Sequence, residues 1–152
     1  MRTLAYISRA CRTLDPHELG DLLDDARRFN AEHGITGVLL HDHGMFLQLL
    51  EGEAQPVDDA MRRIRRSTKH EHLIVVFDEA IATRLFPAWA MGWPGDVTGR
   101  AAAHAVIHAA QQDRSTPGQR DMLGVVTQFL LDSEPPATRQ PLPESELSSG
   151  AA

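Results

Sequence analysis

The sequence predicts an α+β fold with a β-α-β-β-α-β core, a fifth strand and two C-terminal helices. Three observations carry that prediction. Short apolar runs rich in β-branched residues alternate with stretches whose apolar residues recur at helical spacing. Over residues 2–77 these fall in the order strand, helix, strand, strand, helix, strand. Only His41-Asp42-His43-Gly44 separates the two middle strands, which calls for an antiparallel hairpin.

The elements follow in chain order. Residues 2–8 read as a strand with Leu4, Tyr6 and Ser8 on one face and Thr3, Ala5 and Ile7 on the other. Asp15-Pro16-His17-Glu18 starts a helix: Asp15 as N-cap, Pro16 in the first turn, Glu18 as capping-box partner. Leu19, Leu22, Leu23, Ala26 and Asn30 share one stripe of it, and Gly34 is its C-cap. Ile35–Leu40 and Met45–Leu50 form the hairpin strands. Pro56 opens a second helix with Val57, Ala60, Met61 and Ile64 on one face. Leu73–Phe77 reads as a buried strand, and Trp89–Trp93 as a fifth before Pro94-Gly95. Helices are expected over 99–112 and 119–131, covering the free face of the sheet or binding a partner. The order of the first six elements is the ferredoxin-like arrangement, an antiparallel sheet with two helices on one face and a groove between them. The chain thus divides into a core at 1–95, a helical pair at 96–132 and a tail at 133–152 expected to be disordered.

Composition narrows the function. A formal net charge of −6 argues against general nucleic-acid binding, which needs an excess of clustered Lys and Arg. The run Arg62-Arg63-Ile64-Arg65-Arg66 is read as a solvated helix face. Cys11 is the only cysteine, so neither an internal disulfide nor a cysteine-based zinc site is expected. No apolar run reaches membrane-spanning length and no signal peptide is apparent, so a soluble cytoplasmic protein is expected.

Gln48 is the most informative residue. It is the only polar side chain in Met45-Phe46-Leu47-Gln48-Leu49-Leu50. A buried carboxamide without partners costs roughly 1–3 kcal/mol. Tyr6 and Asn30, also set among apolar residues, converge on the same groove. Amides both donate and accept, so the expected guest is a flat heterocycle edged with carbonyl and N–H groups.

The motifs around these residues are similar to those of the BLUF domain, the blue-light sensor that uses flavin. The matching blocks are Leu4-Ala5-Tyr6-Ile7-Ser8, Ala26-Arg27-Arg28-Phe29-Asn30, Gly34-Ile35-Thr36-Gly37-Val38-Leu39-Leu40 and Phe46-Leu47-Gln48-Leu49-Leu50-Glu51-Gly52-Glu53. Lys69-His70 and Phe86-Pro87-Ala88-Trp89-Ala90-Met91-Gly92 follow. The resemblance covers about residues 1–95.

The resemblance implies roles. Tyr6 would be the photoactive tyrosine, donating an electron and a proton. Gln48 would lie between Tyr6 and the N5/O4 edge of the ring. Asn30 would hold the C4 carbonyl and N3. Leu22, Leu23, Ala26 and Phe29 would wall the ring, and Phe46 would line it. Ser8, Lys69 and His70 would add contacts. Trp89 and Met91 would carry the signal outward. The expected cofactor is FAD, with FMN and riboflavin possible. Light would leave Gln48 rotated or tautomerised, with a small reversible red shift of the flavin spectrum. The expected protein is therefore not an enzyme but a photoreceptor, a homo-oligomer signalling to a partner protein.

Two departures stand out. Many relatives carry Asp-x-Arg-His where this chain reads Ser67-Thr68-Lys69-His70, and Phe29 replaces a polar or basic side chain. The alternative reading is a light-insensitive flavin-binding or protein-interaction module. An acylphosphatase-like enzyme using Arg9, Arg12 and Asn30 is disfavoured, since the first loop lacks glycine for a phosphate cradle. His104 and His108, four apart, have no third metal ligand in the sequence pattern and read as a surface pair. Glu51 and Glu53 read as a strand end leading into a helix start.

Overall fold

The computed structural model describes residues 1–92 and 117–132. Strands β1 (Arg2–Ala10), β2 (Thr36–Asp42), β3 (Met45–Gly52) and β4 (His70–Ala80) alternate with helices α1 (Pro16–Glu32) and α2 (Ala54–Arg65). A further helix, α3, spans Pro117–Asp132. The sheet order is β2-β3-β1-β4, with every neighbouring pair antiparallel. This is the ferredoxin-like core.

Local chemistry sets the ends of α1. The Asp15 side chain accepts from the Glu18 backbone N–H at 2.8 Å, and Glu18 accepts from the Asp15 N–H at 3.1 Å, closing the capping box. At the other end Gly34 takes φ +64°, and the Ile35 N–H reaches the Asn30 carbonyl at 2.8 Å. That is a Schellman closure, which asks for a residue without a Cβ penalty in the left-handed region. Helix α2 starts two residues before Pro56, which therefore occupies its first turn.

The hairpin is tighter than the sequence suggested. β2 continues through His41 and Asp42, and only His43 (φ 46°) and Gly44 (φ 77°) form the turn. Two positive φ values give the twist that matches the flanking strands. His41 thus faces Phe46 across the ladder, ring centroids 4.6 Å apart, instead of lying in the turn.

The alternation read in β1 divides two cores. Leu4 and Tyr6 pack with Leu23, Leu39, Phe46, Leu50, Val57, Ala60 and Met61 beneath α1 and α2. Ala5 packs with Val38, Leu40, Leu47, Leu49, Phe86, Met122, Leu123 and Val126 on the other face. So α3 covers the sheet's second face, while the companion helix expected at 99–112, with His104 and His108, lies outside the described residues, as does the tail from 133.

Two corrections concern strands. β4 is not buried: it is an edge, with Ile74 57%, Val75 36% and Val76 44% exposed. Its β-branched run reflects strand propensity, which an edge satisfies as well as a centre. The segment expected as a fifth strand follows β2 with one parallel bridge, Val38 to Gly92. Gly37 N–H donates to the Trp89 carbonyl (2.8 Å), Gly92 N–H to the Gly37 carbonyl (2.8 Å) and Leu39 N–H to the Gly92 carbonyl (2.9 Å). A Cβ on Gly37 would collide with the Leu49 carbonyl, so the backbone there needs glycine. Trp93 lies outside the described residues.

Candidate functional site

Between α1, α2 and the sheet lies a cavity of about 180 Å³. The strands give its floor: Tyr6 and Ser8 from β1, Leu39 from β2, Phe46 and Gln48 from β3, His70 from β4. Helix α1 supplies Leu22, Asp25, Ala26, Phe29 and Asn30; α2 and the turn after it supply Ala60, Arg63, Ile64, Ser67 and Lys69. In β4 two register shifts fall opposite Ala5/Tyr6 and Ile7/Arg9, so bulges flank the stretch of β1 that faces the pocket. Bulges re-aim side chains and are common beside sites of this kind.

Tyr6 and Gln48 are directly opposed across β1 and β3. The Tyr6 hydroxyl donates to Gln48 Oε1, and Gln48 Nε2 points to Met91 Sδ at 3.5 Å. Both side chains are buried, and burial pushes the Tyr6 hydroxyl far above the ordinary tyrosine range, so it stays protonated. Asn30 is also buried and donates from Nδ2 to the Ala90 carbonyl at 2.7 Å. Arg27 Nε donates to the Met91 carbonyl at 3.1 Å.

The remaining polar groups are less well matched. Ser8 Oγ and His70 Nδ1 are buried in the cavity wall with no hydrogen-bond partner among the described residues. Orphaned buried polar atoms are rare in folded proteins and call for a partner. His70 Nε2 lies 3.1 Å from the Ile64 carbonyl, and its ring stacks on Tyr6 at 6.2 Å. Desolvation lowers the His70 pKa and keeps the ring neutral.

At the rim, Phe29 is stacked on His33 (4.0 Å) and carries the Arg63 guanidinium over its ring at 5.0 Å. Arg63 and Lys69 are exposed, so the mouth is cationic, whereas Asp25 is neutralised by Arg28 at 2.5 Å.

The pocket therefore gathers most residues expected from the sequence: Tyr6, Ser8, Leu22, Ala26, Phe29, Asn30, Phe46, Gln48, Lys69 and His70. Leu23 instead packs in the core behind the wall, and Met91 lies behind Gln48. Trp89 is on the sheet's other side, stacked on Phe86 at 5.6 Å. Leu39, Ala60, Ile64 and Arg63 line the pocket without having been singled out as site residues. Ala60 and Ile64 share a helical stripe with Val57, which could have placed them, and Arg63 was masked by its basic neighbours. Among the described residues no three His, Cys, Asp or Glu side chains are arranged to hold a metal ion.

Comparison with known proteins agrees with this geometry. The model of the BLUF family, "Sensors of blue-light using FAD", matches residues 1–92. The photoactivated adenylate cyclase subunit beta of Euglena gracilis is 36% identical over 88 residues, 58% of this chain and 10% of that protein. The alpha subunit from the same organism is 33% identical over 96 residues, 63% of this chain and 9% of its own length. The chain thus spans about a tenth of these relatives. Among solved structures, BlrB, a BLUF protein in its dark state, superposes with a TM-score of 0.63 at 25% identity, covering 86% of this chain and 96% of that one. A pocket of this shape, a Tyr–Gln pair at its floor and a family match over 92 residues make the chain a member of the BLUF family of flavin-using blue-light sensors.

Proposed function

We propose that this chain senses blue light through the Tyr6–Gln48 pair and passes the change to a partner protein through segment 84–92. The carrying observation is that one buried amide touches both ends of the path: the Tyr6 hydroxyl at Oε1 and Met91 Sδ at Nε2.

The residues present fit a flavin. Ser8 Oγ and His70 Nδ1 offer unused hydrogen-bonding capacity, Gln48 and Asn30 offer amides that both donate and accept, and Leu22, Ala26, Phe29 and Ile64 offer flat apolar walls. When bound, the flavin supplies blue-light absorption and a transient electron acceptor. Tyr6, held protonated in its dry setting, gives up its hydroxyl proton towards Gln48 Oε1 as it is oxidised, and takes it back on return. Gln48 then has a choice of amide orientation or tautomer, and each places a different atom against Tyr6 and Met91. Asn30 would hold the ring edge, and its Nδ2 donates to the Ala90 carbonyl, so the pocket and segment 84–92 share a side chain.

FAD is the proposed flavin. The exposed Arg63 and Lys69 at the mouth suit a phosphate-bearing tail better than riboflavin, while Ser67 in place of an acid removes repulsion there. Residues 1–95 are proposed as the sensory unit and 96–132 as its helical accessory. The unit is sensory and has no catalytic role of its own in this reading. Its output is to a downstream protein, from a cytoplasmic homo-oligomer. The exposed Ile74 and Val76 on edge strand β4 support self-association.

The test is the absorption spectrum of purified protein before and after blue light, with the flavin released and identified. The expected result is bound FAD and a small red shift that reverts in the dark. Bound flavin with no reversible shift would favour the light-insensitive module.

A further inference from the structure

Glu51 is a buried acid that the pocket does not use. It stands three residues after Gln48 on β3, so its side chain leaves the opposite face of the sheet. It is fully buried. Oε1 accepts from the Leu85 N–H at 2.9 Å and from Thr3 Oγ1 at 3.2 Å; Oε2 accepts from the Phe86 N–H at 2.8 Å. Burial pushes the Glu51 carboxyl up from the ordinary carboxylate range, and the bonds from Leu85, Phe86 and Thr3 oppose that; Arg84 adds to them through its charge alone, because its guanidinium donates to Thr36 Oγ1 (3.0 Å) and the Gly34 carbonyl (2.6 Å). A buried carboxylate is costly unless hydrogen-bonded, and here those bonds go mainly to the backbone of one loop.

That loop opens the segment that returns to the switch. From Arg84 and Phe86 the chain runs along β2 to Met91, fastened by Gly37, Leu39, Asn30 and Arg27. Met91 Sδ accepts but cannot donate, so it favours the Gln48 orientation with Nε2 towards sulfur and Oε1 towards Tyr6. Moving Met91 removes that bias.

We propose that Glu51 is a positioning residue for the switch: its carboxylate fixes the register of segment 84–92 on the sheet and so keeps Met91 at Gln48. This rests on the photosensor reading above. In Glu51→Gln one acceptor becomes an NH2 facing backbone donors, so the segment loosens while the flavin pocket on the other face stays built.

The experiment compares dark recovery of the light-induced shift in flavin-loaded wild type, Glu51→Gln, Met91→Ala and the double variant. Recovery in Glu51→Gln is expected to change about tenfold, as a loss of one charge-assisted bond would allow. The double variant is expected to recover as Met91→Ala alone does. A wild-type rate in Glu51→Gln, or two effects that simply multiply, overturns the proposal. Amide exchange at Gly37, Leu39 and Gly92 reads the anchoring without light: it should accelerate in Glu51→Gln, and unchanged protection is equally fatal. If Glu51→Gln does not fold, Arg84→Leu loosens the same segment and must show the same non-additivity with Met91→Ala. Wild type that never shifts overturns the photosensor reading; wild type that shifts beside an unaffected Glu51→Gln overturns only the role of Glu51.

Discussion

The two faces of the sheet are built to different rules. On the face beneath α3, Ala5, Leu47, Leu49, Phe86, Leu123 and Val126 form an apolar core with a cavity of about 110 Å³ at its margin, smaller than the one on the other face, and its buried acid, Glu51, has three donors. On the face beneath α1 and α2, a cavity interrupts the packing, and Ser8 and His70 keep polar atoms with no partner among the described residues. One face spends its surface on stability and the other holds capacity in reserve for a guest. β3 carries the contrast within a single strand, since Gln48 and Glu51 are three residues apart. Gln48 has a hydroxyl and a soft sulfur for partners, an arrangement that can be rebuilt; Glu51 has firm bonds to backbone.

If that contrast is right, the largest effect comes from Gln48→Leu. Leucine replaces the carboxamide with an apolar group close in volume, so the fold and flavin binding should survive, and the reversible red shift should vanish entirely from the light-minus-dark spectrum. Next is Leu49→Ala on the face beneath α3. It should cost about 2–5 kcal/mol in urea unfolding, the usual range for a fully buried leucine, with the light-induced shift unchanged in the remaining folded protein.

Ser8→Ala sharpens the comparison from the other side. Removing a buried hydroxyl with no partner among the described residues should leave the flavin-free protein as stable as wild type or slightly more so, by up to about 1 kcal/mol. Flavin affinity, measured by fluorescence titration, should fall. A clear loss of stability in the flavin-free protein would mean that Ser8 serves packing and not a guest.

The smallest effect is a pH dependence. Burial lowers the pKa of both His70 and His41, so the unfolded chain binds protons more readily than the folded one. Their contribution to stability is complete above the ordinary histidine value of about 6.5 and is lost as pH falls from there through the lowered folded values. Thermal midpoints should therefore drop on acidification across that window, and His70→Gln should flatten the slope.

Much of this was legible in the sequence for physical reasons that differ by residue. Alternation in β1 sorted Leu4, Tyr6 and Ser8 from Ala5 and Ile7, because period-two geometry leaves no other choice. The Asp15–Glu18 box and Gly34 marked both ends of α1, since each local bond is encoded within a few residues. The polar trio of Tyr6, Asn30 and Gln48 stood out against apolar neighbours. What was hidden depends on long-range placement. Nothing local in Ile74-Val75-Val76 distinguishes an edge from a centre. Arg63 looked like its basic neighbours until Phe29 was found beneath it. Glu51 read as a strand terminus because its partners, Leu85 and Phe86, lie more than thirty residues away. Trp89 and Met91 are two apart in sequence yet belong to opposite cores.

The most direct test of the account is the light-minus-dark absorption of flavin-loaded Tyr6→Phe beside wild type. The ring keeps its packing, and only the hydroxyl that donates to Gln48 is lost. The account predicts a reversible red shift in wild type and none in Tyr6→Phe, with flavin bound in both. A normal, reversible shift in Tyr6→Phe would contradict it.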